Sequence, residues 1–426
     1  MESPALLLIA LAILGYGLVA RHLHRISLTA PIVFAALGVL IGTAALDLFD
    51  VDIASHQIAV LAELTLVLVL FADAAGIDLR LMHADQAVPA RMLLIGLPLA
   101  VLIGTIAALV LLPDLDLWQA ALLATMLAPT DAALARSVLV DERLPVRIKQ
   151  TLNAESGLND GLALPLVFIF LALAGASAEA PDGNPLMHWS GFLLAQIGLG
   201  VLVGLAAGGL GGRLVERAVK AGEMDKVFER LSAVALAVAA YVGASLIGGN
   251  GFIAAFTGGM AFGRFARRAR QPVISFGETE GQLLALITFV IFGAILLPDA
   301  LEAPDWRAVA YALVSLVLVR PLAIWLSLAG TGLLTSTKLF FGWFGPRGLA
   351  SIVFALIVEG QLGAGAAAPL VAAVSITVGL SIILHGLSAG PLAALYARRL
   401  DTRGDRDALA EFARVEHGSD LRRSRF

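Results

Sequence analysis

The sequence predicts an all-α membrane protein with 13 transmembrane helices, built as two inverted six-helix repeats with interrupted crossing helices at spans 5 and 12. Three observations predict it. Apolar residues make up 59% of the 426 residues and Asp, Glu, Lys and Arg only 15%, against about 25% charged residues in ordinary soluble domains. The apolar residues fall in runs long enough to cross a hydrocarbon core as helices, which takes about 20 residues each. The charges collect between those runs, with basic residues on alternate loops.

The expected spans are 4–20, 28–45, 57–76, 90–112, 118–138, 146–174, 190–212, 230–247, 250–264, 281–298, 307–328, 338–358 and 367–396. The first follows one acid and no basic segment and leads into Arg21 and Arg25 without a cleavage site, so it reads as a retained helix. Several spans are rich in Gly and Ala, as close helix packing in lipid favours. The fifth and twelfth carry proline within polar segments, Pro129-Thr130-Asp131 and Gly345-Pro346-Arg347-Gly348. Spans 1–6 and 8–13 are then the two repeats, inverted by the odd offset that span 7 introduces. Paired broken segments in inverted halves point to a transport site. Residues 401–426 read as a short, charged cytoplasmic tail.

Loop charges set the expected orientation. With the N-terminus outside, Arg21/Arg25, Arg80/Arg91, Arg143/Arg147/Lys149, Arg213 to Arg230, Arg264 to Arg270, Lys338 and the tail from Arg398 all face the cytoplasm. The other side carries Asp47/Asp50/Asp52, Asp114/Asp116, Glu179/Asp182 and Asp299/Glu302/Asp305, with Arg307 its only basic residue. So one-sided a Lys/Arg distribution is the positive-inside pattern.

Several function classes drop out. There are no cysteines, which removes disulfides and thiolate metal sites. His22, His24, His56, His83, His188, His385 and His417 read as loop-lying or isolated, without metal-ligand spacing. Glycine-rich stretches such as 208–212 lie inside apolar spans and lack the Lys-Ser/Thr of a phosphate loop. No cofactor is implied. The net charge of −4 carries no nucleic-acid signal. A channel would need a filter repeat and an intramembrane hydrolase a Ser/His or metal set, and neither motif occurs.

What remains are ionisable residues inside spans: Glu63, Asp73, Asp131, Glu155, Asp160, Arg320 and Arg347. Each calls for a reason, since a mid-bilayer charge costs roughly 2.5–3.5 kcal/mol on insertion scales. The densest cluster is Glu155-Ser156-Gly157-Leu158-Asn159-Asp160. On a helix Ser156 and Asp160 share a face, and Glu155 and Asn159 the neighbouring one. A carboxylate beside a hydroxyl and an amide oxygen suits Na⁺ or K⁺, and the same carboxylate can hold a proton instead. One group serving both is the minimum equipment for exchange. The alternative is a polar cluster that only holds helices together. Thr130 reads as a cation ligand through its carbonyl or hydroxyl. Asp131 reads either as a partner for helix N-termini or as part of the site, and Arg347 as its counterpart at helix C-termini. Arg320, flanked by apolar residues, needs a carboxylate; Glu155 is the first candidate and Asp73 the second. Asp73 and Asp78 read as structural or entrance residues, Glu63 as an interface residue, and Glu278 and Glu280 as part of a cytoplasmic funnel.

These residues resemble the NhaP-like bacterial Na⁺/H⁺ antiporters of the monovalent cation:proton antiporter superfamily. The likeness rests on Thr130-Asp131, Glu155-Ser156-Gly-Leu-Asn159-Asp160, Arg320 and Gly345-Pro-Arg347-Gly348, supported by Thr29-Ala-Pro31-Ile-Val-Phe34 and Phe71-Ala-Asp73-Ala. It implies a homodimer in the bacterial inner membrane, with spans 1–3 and 7–10 as scaffold and spans 4–6 and 11–13 as a moving ion-binding core. It implies that Asp160 carries the proton or the cation, with Na⁺ at Asp160, Thr130 and Ser156, Asn159 and Asp131 beside it, and Glu155 paired with Arg320. The Asn-Asp pair resembles the electroneutral branch. Na⁺ is the expected ion, with Li⁺ or K⁺ as alternatives. This chain departs from the family at Ala132, where the family commonly has proline.

Overall fold

The computed structural model describes residues 3–25, 28–48, 56–76, 87–139, 141–179, 185–302 and 305–401. Asp78, the tail beyond 401, the loop charges Asp50, Asp52, Arg80 and Asp182, and the side chains of Ala132 and Glu278 lie outside the described residues.

All regular structure among the described residues is helical. In chain order the helices are α1 (Ser3–Arg25), α2 (Ala30–Ile41), α3 (His56–Gly76), α4 (Ala87–Leu111), α5 (Leu117–Met126), α6 (Ala132–Leu139), α7 (Val146–Glu179) and α8 (Pro185–Ala221). There follow α9 (Lys226–Leu246), α10 (Gly251–Phe265), α11 (Arg270–Glu302), α12 (Trp306–Ser327), α13 (Thr335–Trp343), α14 (Leu349–Leu362) and α15 (Ala364–Asp401). Eight of them, α1, α4, α7, α8, α9, α11, α12 and α15, are long and apolar enough to cross a membrane, and α2, α5 and α14 are shorter apolar helices. Leu6, Leu7, Leu11, Leu14 and Leu18 of α1 and Leu202, Leu210 and Leu214 of α8 are all exposed. Such stripes suit lipid, where the backbone of each helix satisfies its own hydrogen bonds.

The chain leaves helix at two places that position the site. Between α5 and α6 it runs through Leu127 to Asp131, and between α13 and α14 through Phe344 to Gly348. Pro129 and Pro346 supply no N–H and bias the preceding residue away from helix.

Four helical turns are wound more loosely than the sequence predicts. Met92–Gly96 in α4, Gly277–Gly281 and Phe292–Leu296 in α11, and Ser315–Val319 in α12 are π-helical. Three of them have a proline two residues beyond their end, at Pro98, Pro298 and Pro321. A helix proline clashes with the carbonyl four residues back, which here belongs to Leu94, Ala294 or Val317, each inside its π turn. The wider turn absorbs the clash without breaking the helix. The last of these turns directly precedes Arg320.

Packing relies on missing side chains. A Cβ on Gly200, Gly204 or Gly208 of α8 would land on the backbone of α10, at Asn250, Ala254 and Gly258. A Cβ on Gly259 or Gly263 of α10 would land on the α3 carbonyls of Phe71 and Ala75. α10 is thus wedged between α8 and α3 with backbones in direct contact, the arrangement small residues permit in membranes. α2 meets α11 in the same way through Gly38, Gly42 and Gly293.

Gly208→Ala should lower the melting temperature of the detergent-solubilised chain, on the scale of 1–3 kcal/mol for overpacking, roughly. Gly243→Ala, whose Cβ meets only Val203 at 3.6 Å, should leave it unchanged or raise it. Intrinsic tryptophan fluorescence on heating separates the two; equal melting temperatures would contradict the packing account.

Candidate functional site

The two breaks face each other, and each satisfies the other's backbone. The Asp131 N–H donates to the Pro346 carbonyl at 2.8 Å, and the Leu349 N–H donates to Asp131 Oδ2 at 2.9 Å. Asp131 therefore accepts from the exposed start of α14, where the positive end of the helix dipole lies. From the other side Arg347 Nη1 donates to the carbonyls of Ala128 and Pro129 at 2.7 and 3.0 Å, beyond the end of α5. Ser351 Oγ donates to the Met126 carbonyl at 2.7 Å. A Cβ on Gly348 would collide with the Asp131 carboxylate, so glycine is what lets the chain pass.

α7 lies across the first break. Ser156 Oγ donates to the Thr130 carbonyl at 2.7 Å. Asn159 Nδ2 donates to Thr130 Oγ1, and at 3.4 Å to Glu155 Oε1. Thr130 Oγ1 lies 3.5 Å from Glu155 Oε2. Glu155, Ser156, Asn159 and Thr130 are all buried.

Arg320 reaches in from α12. Its Nη1 and Nη2 donate to the two Glu155 oxygens at 3.0 Å each, a bidentate pair, and Nη2 also approaches the Phe341 carbonyl at 3.4 Å. Both side chains are at most 5% exposed. Gly345 lies flat against the guanidinium, where a Cβ would collide with Nε. Arg320 and Glu155 thus close their charges on each other, and Asp73 is not the arginine's partner.

Two oxygens are left over. Asp160 Oδ1 and Asn159 Oδ1 are buried without a hydrogen-bond partner. The charges of Asp73 and Asp131, and less so Glu155, act on the Asp160 carboxylate. Asp73 is exposed on α3 although Phe71, Ala72, Ala74 and Ala75 around it are buried. Its charge is one of those that reach Asp160.

The surroundings of Asp160 differ along α7. One turn before Gly161, a Cβ on Gly157 would meet nothing within 4 Å, and Asn153 is exposed. At Gly161 itself the ring of Phe256 fills the place of a side chain. Beyond it Phe168 stacks on Phe252 with centroids 5.8 Å apart. The surface of α7 is thus open on the Asn153 side of Asp160 and packed on the Phe168 side.

Other singled-out residues stand apart. Glu63 accepts from Tyr241 Oη at 2.9 Å, which joins α3 to α9. Glu280 lies in a π turn of α11 with a buried, unpartnered Oε2. One reading needs correction: His385 is neither loop-lying nor isolated. It is buried in α15 with Nδ1 within 3.1 Å of Ser381 Oγ. Its signal was the spacing of Ser381, His385 and Ser388 on one face of an otherwise apolar helix.

The family profile for the transmembrane sodium/hydrogen exchanger matches residues 8–395. The chain belongs to the sodium/hydrogen exchanger family. Within the monovalent cation:proton antiporter superfamily, this exchanger-family member is a multi-pass membrane protein. It is 29% identical over 248 residues to the K(+)/H(+) antiporter NhaP2 of Shewanella sp. (strain ANA-3), covering 57% of this chain and 41% of that relative. It is 28% identical over 367 residues to the K(+)/H(+) antiporter NhaP of Alkalimonas amylolytica, covering 84% of this chain and 61% of that one. These matches span less than two thirds of the relatives' own length. The fold matches the structure of the sodium proton antiporter MjNhaP1 from Methanocaldococcus jannaschii, with TM-score 0.75, 24% identity and coverage of 92% of this chain and 98% of that one.

Removing one partner of the buried pair strands a charge, which costs about 3–5 kcal/mol. Glu155→Gln or Arg320→Ala should therefore lower the melting temperature sharply. The double variant Glu155→Gln/Arg320→Gln should recover part of the loss, and a double variant less stable than both singles would contradict the pairing.

Proposed function

We propose that this exchanger-family chain is a secondary antiporter that trades a monovalent cation for a proton at Asp160 by alternating access. The observation that carries the proposal is the buried, unpartnered Asp160 oxygen beside the open stretch of α7 at Gly157. Nearby charges have fixed roles: Arg320 holds Glu155, Arg347 holds the α5 carbonyls, and Asp131 holds the start of α14. Of the carboxylates on α7 and the two breaks, Asp160 is then the one left to take either ion. Desolvated hard cations take oxygen ligands, and Asp160 Oδ1, Asn159 Oδ1 and the hydroxyls of Ser156 and Thr130 supply a set of that kind. Asp131 contributes field rather than a ligand, and Asp73 attracts cations from the α3 wall.

Na⁺ is the proposed substrate, with Li⁺ also accepted. K⁺ is the second reading, supported by relatives named K(+)/H(+) antiporters. With one carboxylate to share, exchange is one cation for one proton and carries no net charge. In the proposed topology α5 with α6, and α13 with α14, each form one interrupted crossing. Thirteen crossings then result, in two inverted six-helix units. The N-terminus is outside and the C-terminus in the cytoplasm of a bacterial inner membrane. Spans 1–3 and 7–10 form a homodimeric scaffold and spans 4–6 and 11–13 the moving core. The open stretch of α7 then lies on the cytoplasmic side, where span 6 begins.

Asp160→Asn should abolish cation-driven dissipation of ΔpH in proteoliposomes while keeping a folded chain; retained exchange would remove Asp160 from its role. In the wild type, the rate should rise with pH as protons stop competing for the carboxylate. It should fall again when the proton to be returned becomes scarce. A rate independent of pH at saturating and limiting cation alike would contradict competition at one group.

A further inference from the structure

The second break is held from behind by α15, and the grip has three contacts on one helix face. Ser381, His385 and Ser388 recur at spacings of four and three, which stacks them along one stripe. Ser381 Oγ accepts the Arg347 N–H at 2.7 Å. Ser388 Oγ accepts Trp343 Nε1–H at 2.9 Å. Between them the His385 ring lies 4.9 Å from the Trp343 ring, the two planes 34° apart. Trp343 ends α13, and Arg347 is the residue before Gly348, so α15 grips the break at both ends.

His385 decides how Ser381 is used. Its Nδ1 lies 3.0 Å from the Ser381 carbonyl and 3.1 Å from Ser381 Oγ. The ring also hydrogen-bonds the Trp343 backbone, so it contacts Ser381 on one side and the end of α13 on the other. In either tautomer the ring fixes the Ser381 hydroxyl, which leaves an oxygen lone pair toward the Arg347 N–H. Ser381, His385 and Arg347 are all at most 2% exposed, so no water competes for these bonds. Arg347 and Arg320 are the charged groups that act on the ring. The consequence travels one residue further. Arg347 holds the carbonyls of Ala128 and Pro129, and the next residue is Thr130, whose hydroxyl and carbonyl meet Asn159 and Ser156.

We propose that His385 is a positioning residue for the cation site, acting through Ser381 and Arg347 on the placement of Thr130. This rests on the antiport reading of the Asp160 site. His385 does not touch the ion. It fixes the backbone against which the ligands are arranged, so its loss should appear in cation affinity rather than in maximum turnover. Asparagine can replace it in that role, because its amide places a donor and an acceptor two bonds beyond Cβ, where Nδ1 lies. Leucine fills similar space and donates nothing.

The test uses the full chain in proteoliposomes, with initial exchange rates measured against Na⁺ and K⁺ concentration and melting temperatures measured alongside. His385→Leu should raise the cation KM about fivefold to tenfold, the scale of one lost buried hydrogen bond, with the maximum rate within about twofold. His385→Asn should return KM close to the wild-type value. Ser381→Ala removes the acceptor for Arg347 and should reproduce the leucine effect; it also serves as the test if the leucine variant does not fold. A wild-type KM in the leucine or alanine variant overturns the proposal, and so does an asparagine variant no better than leucine. Failure of the antiport reading looks different: the wild type itself would then show no exchange with either cation.

Discussion

A helix can be interrupted in an apolar interior only if the backbone groups it frees find partners, and this chain interrupts two helices against each other. Nearly every polar group near the site follows from that requirement. Asp131 takes the N–H at the start of α14, Arg347 takes carbonyls beyond the end of α5, Ser351 takes the Met126 carbonyl, and the Asp131 N–H takes that of Pro346. The two charges brought in for this purpose are opposite in sign and sit on opposite breaks. Glycine is obligatory at Gly348 and Gly345 because the Asp131 carboxylate and the Arg320 guanidinium occupy the space of a side chain.

Once these bonds are made, the site is defined by subtraction. A bidentate pair closes Glu155 and Arg320 on each other, and Ser156 and Asn159 tie α7 to Thr130. The oxygens with nothing to do are those of Asp160 and Asn159. Gly157 and Gly161, one turn apart, give α7 an open face before Asp160 and a closed one after it. Movement of α7 along α10 would have to pass the Phe256 ring, so the packing that closes one side of the site also defines what must shift to open it.

Much of this was legible in the sequence because the relevant residues are anomalous where they stand. Arg320 among valines and leucines demands a carboxylate, and proline inside two polar segments demands a break. The π turns were missed, although three of the four carry a signal: a proline two residues beyond the turn, inside a long apolar helix. Pro321 is the telling case, since the looser turn before it sets the direction of Arg320. His385 was passed over because a histidine with two serines on one face is dilute in a 38-residue helix made mostly of Ala, Leu, Gly, Val and Ile. Only the position of Arg347 against that face shows what the stripe is for. Asp73 read as a structural or entrance residue, and the structure adds that it is exposed among buried neighbours on α3.

The central claim is that one carboxylate is shared between proton and cation. It is tested most directly by proton release from the detergent-solubilised chain in weakly buffered solution as Na⁺ or K⁺ is added. The account predicts release of one proton for each cation bound, with the release absent in Asp160→Asn. Cation binding with no accompanying proton release would contradict it.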